Sequence, residues 1–338
     1  MIGCRASRGL ARCSAAADQP RIATRAVTAP AAEPPTKEQV HALASFVSQS
    51  KQLLILTGAG ISTESHIPDY RSPGGAYASG YKPMTHQEFI GADASRRRYW
   101  ARSFAGWEKF AERTRPNAAH FAVARLQTAG RVTHLLTQNV DRLHQAAGSK
   151  DVIEMHGTTH RVVCLACRRE SCRFEMQSVL KDLNPDFHTA RAVSTMVQAR
   201  PSVEASELAS EPQTRPDGDT TLLPDAYSGF RVPPCACGGI LKPDVVFFGD
   251  NMEKDIAAAT KHAAASADAL LVIGSSLQVY SAFRIAKAVA DAGKPLAILS
   301  VGPTRADNLA TLKVEALAGE ALPRVVADGG LDLPQGLA

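Results

Sequence analysis

The chain has 338 residues, 45% of them hydrophobic and 21% charged, a composition typical of a globular protein. No run approaches the roughly 18 apolar residues that a membrane-spanning helix needs, so none is predicted. The net charge is +5, and five arginines of the first 35 residues carry much of it. The net charge of the remaining residues is too small to predict nucleic-acid binding.

Residues 1–35 are rich in Ala, Arg and Ser, poor in acidic residues, and without a long apolar centre. This composition predicts an organelle transit peptide rather than a secretory signal. The alternative is a disordered tail. The mitochondrial matrix is the favoured destination. The chloroplast is the alternative, because composition distinguishes the transit peptides of the two organelles poorly.

The folded part is predicted to start at Thr36, which forms a capping-box pattern with Gln39. Helix and strand patterns then alternate to the end of the chain. Strands are predicted at 53–57, in a run ending at Gln138, and at 151–155, 244–248, 269–274 and 295–300. Helices are predicted at 95–110, 117–130, 140–148, 253–266 and 282–292. The strands are mostly continuous apolar runs, which indicates an α/β fold with a parallel sheet covered by helices on both faces.

The predicted strands end in polar clusters, namely GAGIS, TQNVD, EMHGT, GSS and SVG. Ligands bind parallel sheets at the carboxyl ends of their strands. The clusters therefore predict one shared ligand crevice.

The first cluster contains the glycine corner Gly58-Ala59-Gly60, which lets a phosphate approach backbone N–H groups at a helix start. A tight strand-to-helix turn explains the same glycines without a ligand. Downstream, Asp69-Tyr70-Arg71 adds an acid, an aromatic ring and a cation, which suits a nucleotide sugar.

Beyond the first 35 residues the cysteines are grouped as Cys164, Cys167 and Cys172 and then Cys235 and Cys237. An odd, clustered set in an intracellular chain indicates metal binding rather than disulfides. Between them, residues 184–234 are polar, proline-rich and aperiodic, which predicts a mobile insertion.

Taken in order, GAGIS…IPDYR, TQNVDRLH, EMHGT, the two cysteine clusters, KPDVVFFGD, GSSLQVYS and GPTRADNLA resemble the sirtuin family. Sirtuins are NAD-dependent protein-lysine deacylases. The match covers about 39–326, with the insertion outside it. RYWARSFAGW, KPDVVFFGD and SLQVYS are most similar to the class II branch, the mitochondrial sirtuin-four type.

The resemblance implies a Rossmann-like NAD-binding domain formed by 36–157 and 240–330, and a smaller zinc-binding module at 158–239. The positions that match the family's NAD-binding motifs are Gly58, Ala59, Gly60, Asp69, Tyr70, Arg71, Gln138, Asn139, Val140, Asp141, Gly274, Ser275, Ser276, Ser300, Val301, Gly302 and Ala318.

The same resemblance assigns catalysis to His156, with Asn139 and Asp141 lining the nicotinamide pocket. Imidazole titrates near neutral pH and is a workable general base. A packed histidine and a helix-capping asparagine are the structural alternatives. Val245 and Phe247 match the family's substrate-contacting strand, where an acylated peptide would pair by β-augmentation. Core packing is the alternative for these two residues.

For the metal, the family pattern assigns a structural zinc to Cys164, Cys167, Cys235 and Cys237. The family has CxxC in both halves, whereas the second half here is CxC. Cys172 is therefore an alternative fourth ligand.

His66 also departs from the family, which has glycine at this position. Glycine indicates either a positive φ or a lack of room for a side chain, and histidine tolerates the left-handed region better than most residues. The hypothesis is that His66 weakens or reshapes the clamp over NAD.

The leading function is NAD-dependent removal of acyl groups from protein lysines, with transfer of the acyl group to ADP-ribose. Mono-ADP-ribosyl transfer and lipoamide removal are alternatives on the same scaffold, and a non-catalytic NAD-dependent binding module is a third reading. An ordinary dehydrogenase is disfavoured by the cysteines and the incomplete GxGxxG pattern. Tyr99 and Arg102 lie on one helix face and could meet an acidic acyl group, although packing and solvent exposure are favoured for them.

Overall fold

The computed structural model describes residues 29–187, 215–222 and 227–328. The predicted transit peptide, apart from 29–35, lies outside the described residues, as do 188–214 and 223–226 of the predicted insertion. Within the described ranges, no helix has the length and apolar character needed to cross a membrane.

The strands, in chain order, are β1 Leu53–Thr57, β2 Val132–Thr137, β3 Val152–Glu154, β4 Gly157–Cys164, β5 Glu170–Cys172, β6 Leu241–Val245, β7 Ala269–Ile273, β8 Leu296–Leu299 and β9 Leu312–Val314. The α-helices are α1 Lys37–Gln49, α2 His86–Gly91, α3 Asp93–Trp107, α4 Ala118–Thr128, α5 Leu143–Ala146, α6 Arg173–Leu183, α7 Lys254–Ser266, α8 Tyr280–Asp291 and α9 Ala318–Asp328.

Six strands form a parallel sheet in the order β3-β2-β1-β7-β8-β9. Side chains of β1 alternate between its two faces, as the period of a strand requires. Leu53 and Ile55 belong to a core shared with α1, α4 and α9. Leu54 and Leu56 belong to the core on the other face, shared with α7 and α8. Burying each of these leucines stabilises the fold by about 2 kcal/mol. The predicted α/β architecture with helices on both faces is confirmed.

Two helix starts follow the predicted capping chemistry. The Thr36 side chain accepts a hydrogen bond from the backbone N–H of Gln39, and the Gln39 side chain accepts one from the backbone N–H of Thr36, so the capping box is present. Asn117 caps α4 by accepting from the backbone N–H groups of Ala119 and His120. These bonds satisfy N–H groups that have no partner within the helix.

The smaller domain contains an antiparallel sheet in the order β5-β4-β6, flanked by α6. Its core includes the α3 aromatics, with Trp100 fully buried and Tyr99 nearly so. Trp107 of the same helix is also buried. These aromatic side chains pack in the core, and Tyr99 also lines the cavity described below. The aromatic side chains of α3 thus pack against the antiparallel sheet and α6.

Several element boundaries differ from the predictions. The strand expected at 244–248 is β6, Leu241–Val245, because it pairs with β4, which the sequence analysis did not predict. β4 contains several polar residues, so it is not an apolar run of the kind that predicts a buried strand. The helix expected at 95–110 begins at Asp93 and continues beyond Trp107 as a π-helical turn, Glu108–Arg113.

The predicted mobility of the whole insertion is wrong for residues 215–222. Arg215, Asp219 and Leu222 are buried. Arg102 of α3 lies 2.8 Å from Asp219 and donates to the carbonyl oxygen of Thr220 at 2.9 Å. Proline and glycine made the segment look structureless, but Asp219 pairs with Arg102 of α3 and Asp217 accepts a hydrogen bond from Tyr81.

Candidate active site

The polar clusters at the strand ends converge on one cavity of about 1020 Å³. Every position that matches the family's NAD-binding motifs lines it, and so do His156, Val245 and Phe247. The sequence analysis therefore predicted which residues come together. Their chemical roles stay predictions.

The glycine corner packs directly against a second turn. A Cβ atom on Gly58 would lie 2.8 Å from Ser275 Cβ, and one on Gly60 would lie 2.8 Å from Gly274 Cα. Gly274 has φ +59°, and a Cβ there would lie 2.3 Å from the backbone nitrogen of Ile61. The protein's own backbone thus excludes side chains here, which supports the tight-turn explanation and remains compatible with a bound phosphate.

The loop after the corner contains His66, which adopts φ 63° and ψ 21°, the left-handed conformation. The positive φ expected at the family's glycine position is therefore present. The His66 side chain is exposed, while Asp69, Tyr70 and Arg71 line the cavity. His66 affects the loop through its backbone conformation.

The side chains of Asn139 and Asp141 bind the glycine corner. Asn139 Nδ2 donates to the Gly58 carbonyl oxygen at 3.2 Å and to Ser62 Oγ at 3.1 Å. Ser62 Oγ in turn donates to Asp141 Oδ2 at 2.7 Å. The capping alternative is wrong for Asn139, because the N-cap of α5 is Arg142, and Asp141 Oδ1 accepts from the Leu143 N–H at 2.9 Å. A hydrogen-bonded amide and carboxylate thus lie side by side at the cavity wall.

His156 follows β3 and is half-buried at the cavity surface. Its Nδ1 lies 3.0 Å from the Gln138 carbonyl oxygen and its Nε2 lies 3.0 Å from Ser281 Oγ. Burial lowers the pKa of His156, and the bond to the Gln138 carbonyl opposes that shift. At neutral pH the ring is therefore uncharged, with its proton on Nδ1, because a carbonyl oxygen only accepts.

Gln138 connects three parts of the site. Its carbonyl oxygen binds His156, its backbone N–H donates to the Thr57 carbonyl oxygen at 3.0 Å, and its side chain donates to Ser275 Oγ at 2.8 Å. These hydrogen bonds fix the position of the His156 imidazole relative to the glycine corner.

At the far end of the cavity lie Ser300, Val301 and Gly302 after β8, with Ala318 at the start of α9. The backbone N–H of Gly319 donates to Glu64 Oε2 at 2.7 Å. Burial raises the pKa of Glu64, and the Gly319 bond opposes this shift. Glu64 thus joins the loop after β1 to the start of α9.

The other end of the cavity is apolar. The Phe247 ring centroid lies 5.4 Å from that of Phe89 and 5.3 Å from that of Tyr99. Phe247 both packs in the core and lines the cavity. Val245 pairs with Gly157 at the end of β6 and also lines the cavity. Phe248 follows with 47% of its surface exposed.

A carboxylate lies beside this apolar end. Asp217 lines the cavity and accepts a hydrogen bond of 2.6 Å from the Tyr81 hydroxyl. Burial raises the pKa of Asp217, and the Tyr81 bond opposes it. Burial, and then the Asp217 charge, raise the pKa of Asp219 to about 8, against the effect of Arg102. Arg102 is engaged with Asp219 and Thr220, so packing within the protein rather than contact with an acidic acyl group describes it.

The four cysteines assigned to a metal lie together. The Sγ atoms of Cys164, Cys167, Cys235 and Cys237 are all within 4.8 Å of one another. Pairing of β4 with β6 places Cys164 opposite Leu241 and so joins the two halves of the pattern. Tetrahedral zinc with four thiolates has sulfur–sulfur separations of about 3.8 Å. The donor set fits one structural zinc, and Cys237 rather than Cys172 completes it.

Three residues of the site were missed at the sequence level. Ser62 stands inside the GAGIS cluster and Ser281 inside GSSLQVYS, so the motifs contained a signal. Asp217 lies in the aperiodic segment, where no sequence pattern indicated a contact with the cavity.

The cavity suits a dinucleotide. It combines a glycine corner, whose Gly58 and Gly60 N–H groups donate to Ile273 and Gly274, with polar side chains at the ends of the other strands. Its volume is at the upper end of the range for small-molecule sites.

Fold and site together define a nucleotide-binding α/β protein with a zinc-type cysteine module. The chain belongs to the Sir2 family, whose profile matches residues 58–281. It is 48% identical to the NAD-dependent protein deacylase SRT2 of Arabidopsis thaliana, over 90% of this chain and 80% of that protein. It is 44% identical to the mitochondrial NAD-dependent protein lipoamidase sirtuin-4 of Homo sapiens, over 88% of each chain.

Solved structures give the same result. One of Sir2 enzymes superposes with a TM-score of 0.63 at 28% identity, covering 87% of this chain and 98% of that one. Another, a Sir2 protein with a deacetylated peptide and 3′-O-acetyl ADP-ribose, has the same TM-score and identity, over 86% and 99% of the chains. The resemblance to the sirtuins is confirmed.

Proposed function

We propose that the protein is an NAD-dependent protein-lysine deacylase. The observation that carries this proposal is the neutral imidazole of His156 in the wall of a dinucleotide-sized cavity, with Nε2 as its basic nitrogen. When bound, NAD supplies an electrophilic ribose carbon as nicotinamide leaves.

The residues of the chain prepare the reacting groups. Asn139 and Asp141, held by Ser62 and Gly58, offer an amide and a carboxylate to grip a carboxamide. His156 Nε2 accepts a proton from a ribose hydroxyl, which makes that oxygen nucleophilic toward the acyl carbon. Acylated lysine, NAD and one water would give free lysine, nicotinamide and O-acyl-ADP-ribose.

The acylated lysine enters beside Val245 and Phe247. The aromatic surfaces of Phe247 and Tyr99 line the cavity and suit an apolar stem. The peptide backbone pairs with the chain segment that continues from β6, as in β-augmentation. The zinc module, with four thiolates and no open position, stabilises the smaller domain and takes no part in the chemistry.

Lipoamide removal is the second candidate. The sirtuin-4 proteins of Homo sapiens and Bos taurus, each 44% identical to this chain, are named lipoamidases. A lipoyl group is a long, mainly apolar acyl group on lysine, so the same step would release it.

The test is incubation of the protein with NAD and peptides carrying acetyl, longer acyl or lipoyl groups, followed by mass spectrometry. O-acyl-ADP-ribose together with nicotinamide is the expected result. A mass gain on protein indicates ADP-ribosyl transfer instead, and absence of nicotinamide indicates a binding module. His156→Ala should stop product formation while the chain stays folded and retains zinc.

An organelle is the proposed location, and the mitochondrial matrix is the specific proposal. The arginine-rich, acid-poor sequence of 1–35 supports it, as do the sirtuin-4 relatives named as mitochondrial. Imaging of the first 35 residues fused to a fluorescent protein tests it. Accumulation in another compartment would refute the matrix assignment.

A further inference from the structure

The imidazole of His156 has a hydrogen-bond partner that no motif assigned. Its Nε2 lies 3.0 Å from Ser281 Oγ, while Nδ1 lies 3.0 Å from the carbonyl oxygen of Gln138. Since Nδ1 holds the proton, Nε2 carries the lone pair. The hydroxyl of Ser281 therefore donates to the nitrogen that has to act as the base.

Ser281 is attached to a rigid element. It is the second residue of α8, and α8 is anchored in the core by Ala282, Ile285 and Val289. His156 follows the fully buried Met155. The serine–histidine bond thus joins two well-packed parts of the fold, and both residues line the cavity.

We propose that Ser281 is a positioning residue for His156. The hydrogen bond from its hydroxyl keeps the Nε2 lone pair oriented toward the cavity. When substrate binds, the ribose hydroxyl replaces Ser281 as the hydrogen-bond donor to Nε2. The inference rests on the proposed deacylase function and adds a residue to its machinery.

The proton transfer is balanced without any further group. The ribose O–H bond breaks, an N–H bond forms at Nε2, and the electron pair left on oxygen forms the bond to the acyl carbon, whose π bond breaks as its electron pair moves to the attached nitrogen. His156 becomes an imidazolium whose two nitrogens both donate. A serine hydroxyl donates to the neutral ring and accepts from the charged one, so Ser281 can partner both states. An alanine side chain can partner neither.

Two measurements on the full chain separate positioning from a structural effect. The first is the rate of O-acyl-ADP-ribose formation from NAD and an acetylated peptide. The second is exchange of labelled nicotinamide into NAD, which reports cleavage and re-formation of the nicotinamide–ribose bond and needs no proton transfer to His156. Ser281→Ala should lower kcat for product formation about three- to tenfold, the range for loss of one hydrogen bond. Exchange and the KM for NAD should stay within about twofold.

Two further variants test the role of the hydroxyl. Ser281→Thr keeps it and should restore most of the rate. Ser281→Cys, with a weak donor, should fall between serine and alanine, and it provides the comparison if Ser281→Ala does not fold. The matched control is Ser266→Ala, which removes a serine hydroxyl 3.3 Å from His134 Nε2 at a site outside the cavity lining. It should leave both rates unchanged.

The proposal is overturned if Ser281→Ala lowers exchange and product formation equally, since that indicates a loss of structure or binding. An unchanged rate of product formation also overturns it. If the unaltered protein releases no nicotinamide with any acylated peptide, the proposed function itself fails, and the exchange assay shows this directly.

Discussion

Ser62 donates a hydrogen bond of 2.7 Å to Asp141, and this bond joins the glycine corner after β1 to the loop after β2. Ser62 also lies 3.1 Å from Asn139 Nδ2. One hydroxyl therefore orients both side chains that face the predicted nicotinamide pocket, although 77 residues separate it from Asn139.

Ser62→Ala should raise the KM for NAD about tenfold. The variant leaves the buried Asp141 carboxylate without its hydroxyl donor, and a hydrogen bond to a charged group contributes about 1.5–3 kcal/mol. Steady-state kinetics with varied NAD measures the change. Ser48→Ala, on the exposed side of α1, is the control and should match the unaltered protein. An unchanged KM for Ser62→Ala would show that the bond does not matter for the cofactor.

His66→Gly should lower the KM for NAD and raise the melting temperature. The present residue holds φ 63°, and the left-handed conformation costs an ordinary L-residue about 1–2 kcal/mol that glycine does not pay. His66→Asn is the matched variant, because asparagine tolerates this region and should change little. If glycine leaves the KM unchanged or raises it, the hypothesis that His66 weakens the clamp is wrong.

Cys237→Ser should lose zinc and lower the melting temperature, because its thiolate completes the cluster of four sulfurs. Cys172→Ser is the control, since Cys172 lies in β5 outside that cluster, and it should keep about one zinc per chain. Elemental analysis of the purified variants decides between the two cysteines. Equal zinc contents in both variants would contradict the assignment.

The deacylation rate should fall in acid with a midpoint below pH 6.5. The base must be neutral, and burial lowers the pKa of His156 below its ordinary value. The neutral form therefore predominates at pH 7 and is lost as the pH falls through the lowered pKa. A profile of kcat/KM between pH 5 and 8 measures this. A midpoint above 6.5 would show that His156 is not the titrating base.

Folding stability should decrease in acid because of two buried histidines. Burial lowers the pKa of His120 and of His144 to about 3 each. The unfolded chain binds these protons near pH 6.5 and the folded chain does not. The contribution of the two histidines to the free energy of unfolding is therefore complete above pH 6.5 and is lost as the pH falls below it. Each histidine contributes a slope of about 1.4 kcal/mol per pH unit in that window.

Urea unfolding between pH 8 and 5 tests this expectation. The variant His120→Gln should be less stable at pH 8 but should show a shallower loss of stability toward pH 5. His134→Gln, at a half-buried surface histidine, is the control and should keep most of the slope of the unaltered chain. Parallel curves for all three proteins would refute the expectation.

The parallel sheet and the set of residues that line the site were predictable from the strand patterns. Continuous apolar runs such as LLILT reveal strands buried on both faces, and their polar ends must meet at one edge. The small domain was harder, because β4 pairs through residues such as Thr159 and Arg161, which are not an apolar run.

Other contacts depend on tertiary structure alone. Asp217 lines the cavity and accepts a hydrogen bond from Tyr81, and Arg102 of α3 pairs with Asp219, from which 117 positions separate it in sequence. Asparagine is a good helix cap by propensity, but the Asn139 side chain binds the Gly58 carbonyl oxygen instead, a contact that depends on tertiary structure.

The contact between the two glycine turns has a consequence for protein engineering. Gly60 and Gly274 meet without space for one methyl group, although more than two hundred residues separate them along the chain. A larger residue introduced at either turn has to displace the other. Chimeras that take both turns from one parent should therefore keep the cleft intact, whereas a crossover point between them risks combining two backbones that do not fit.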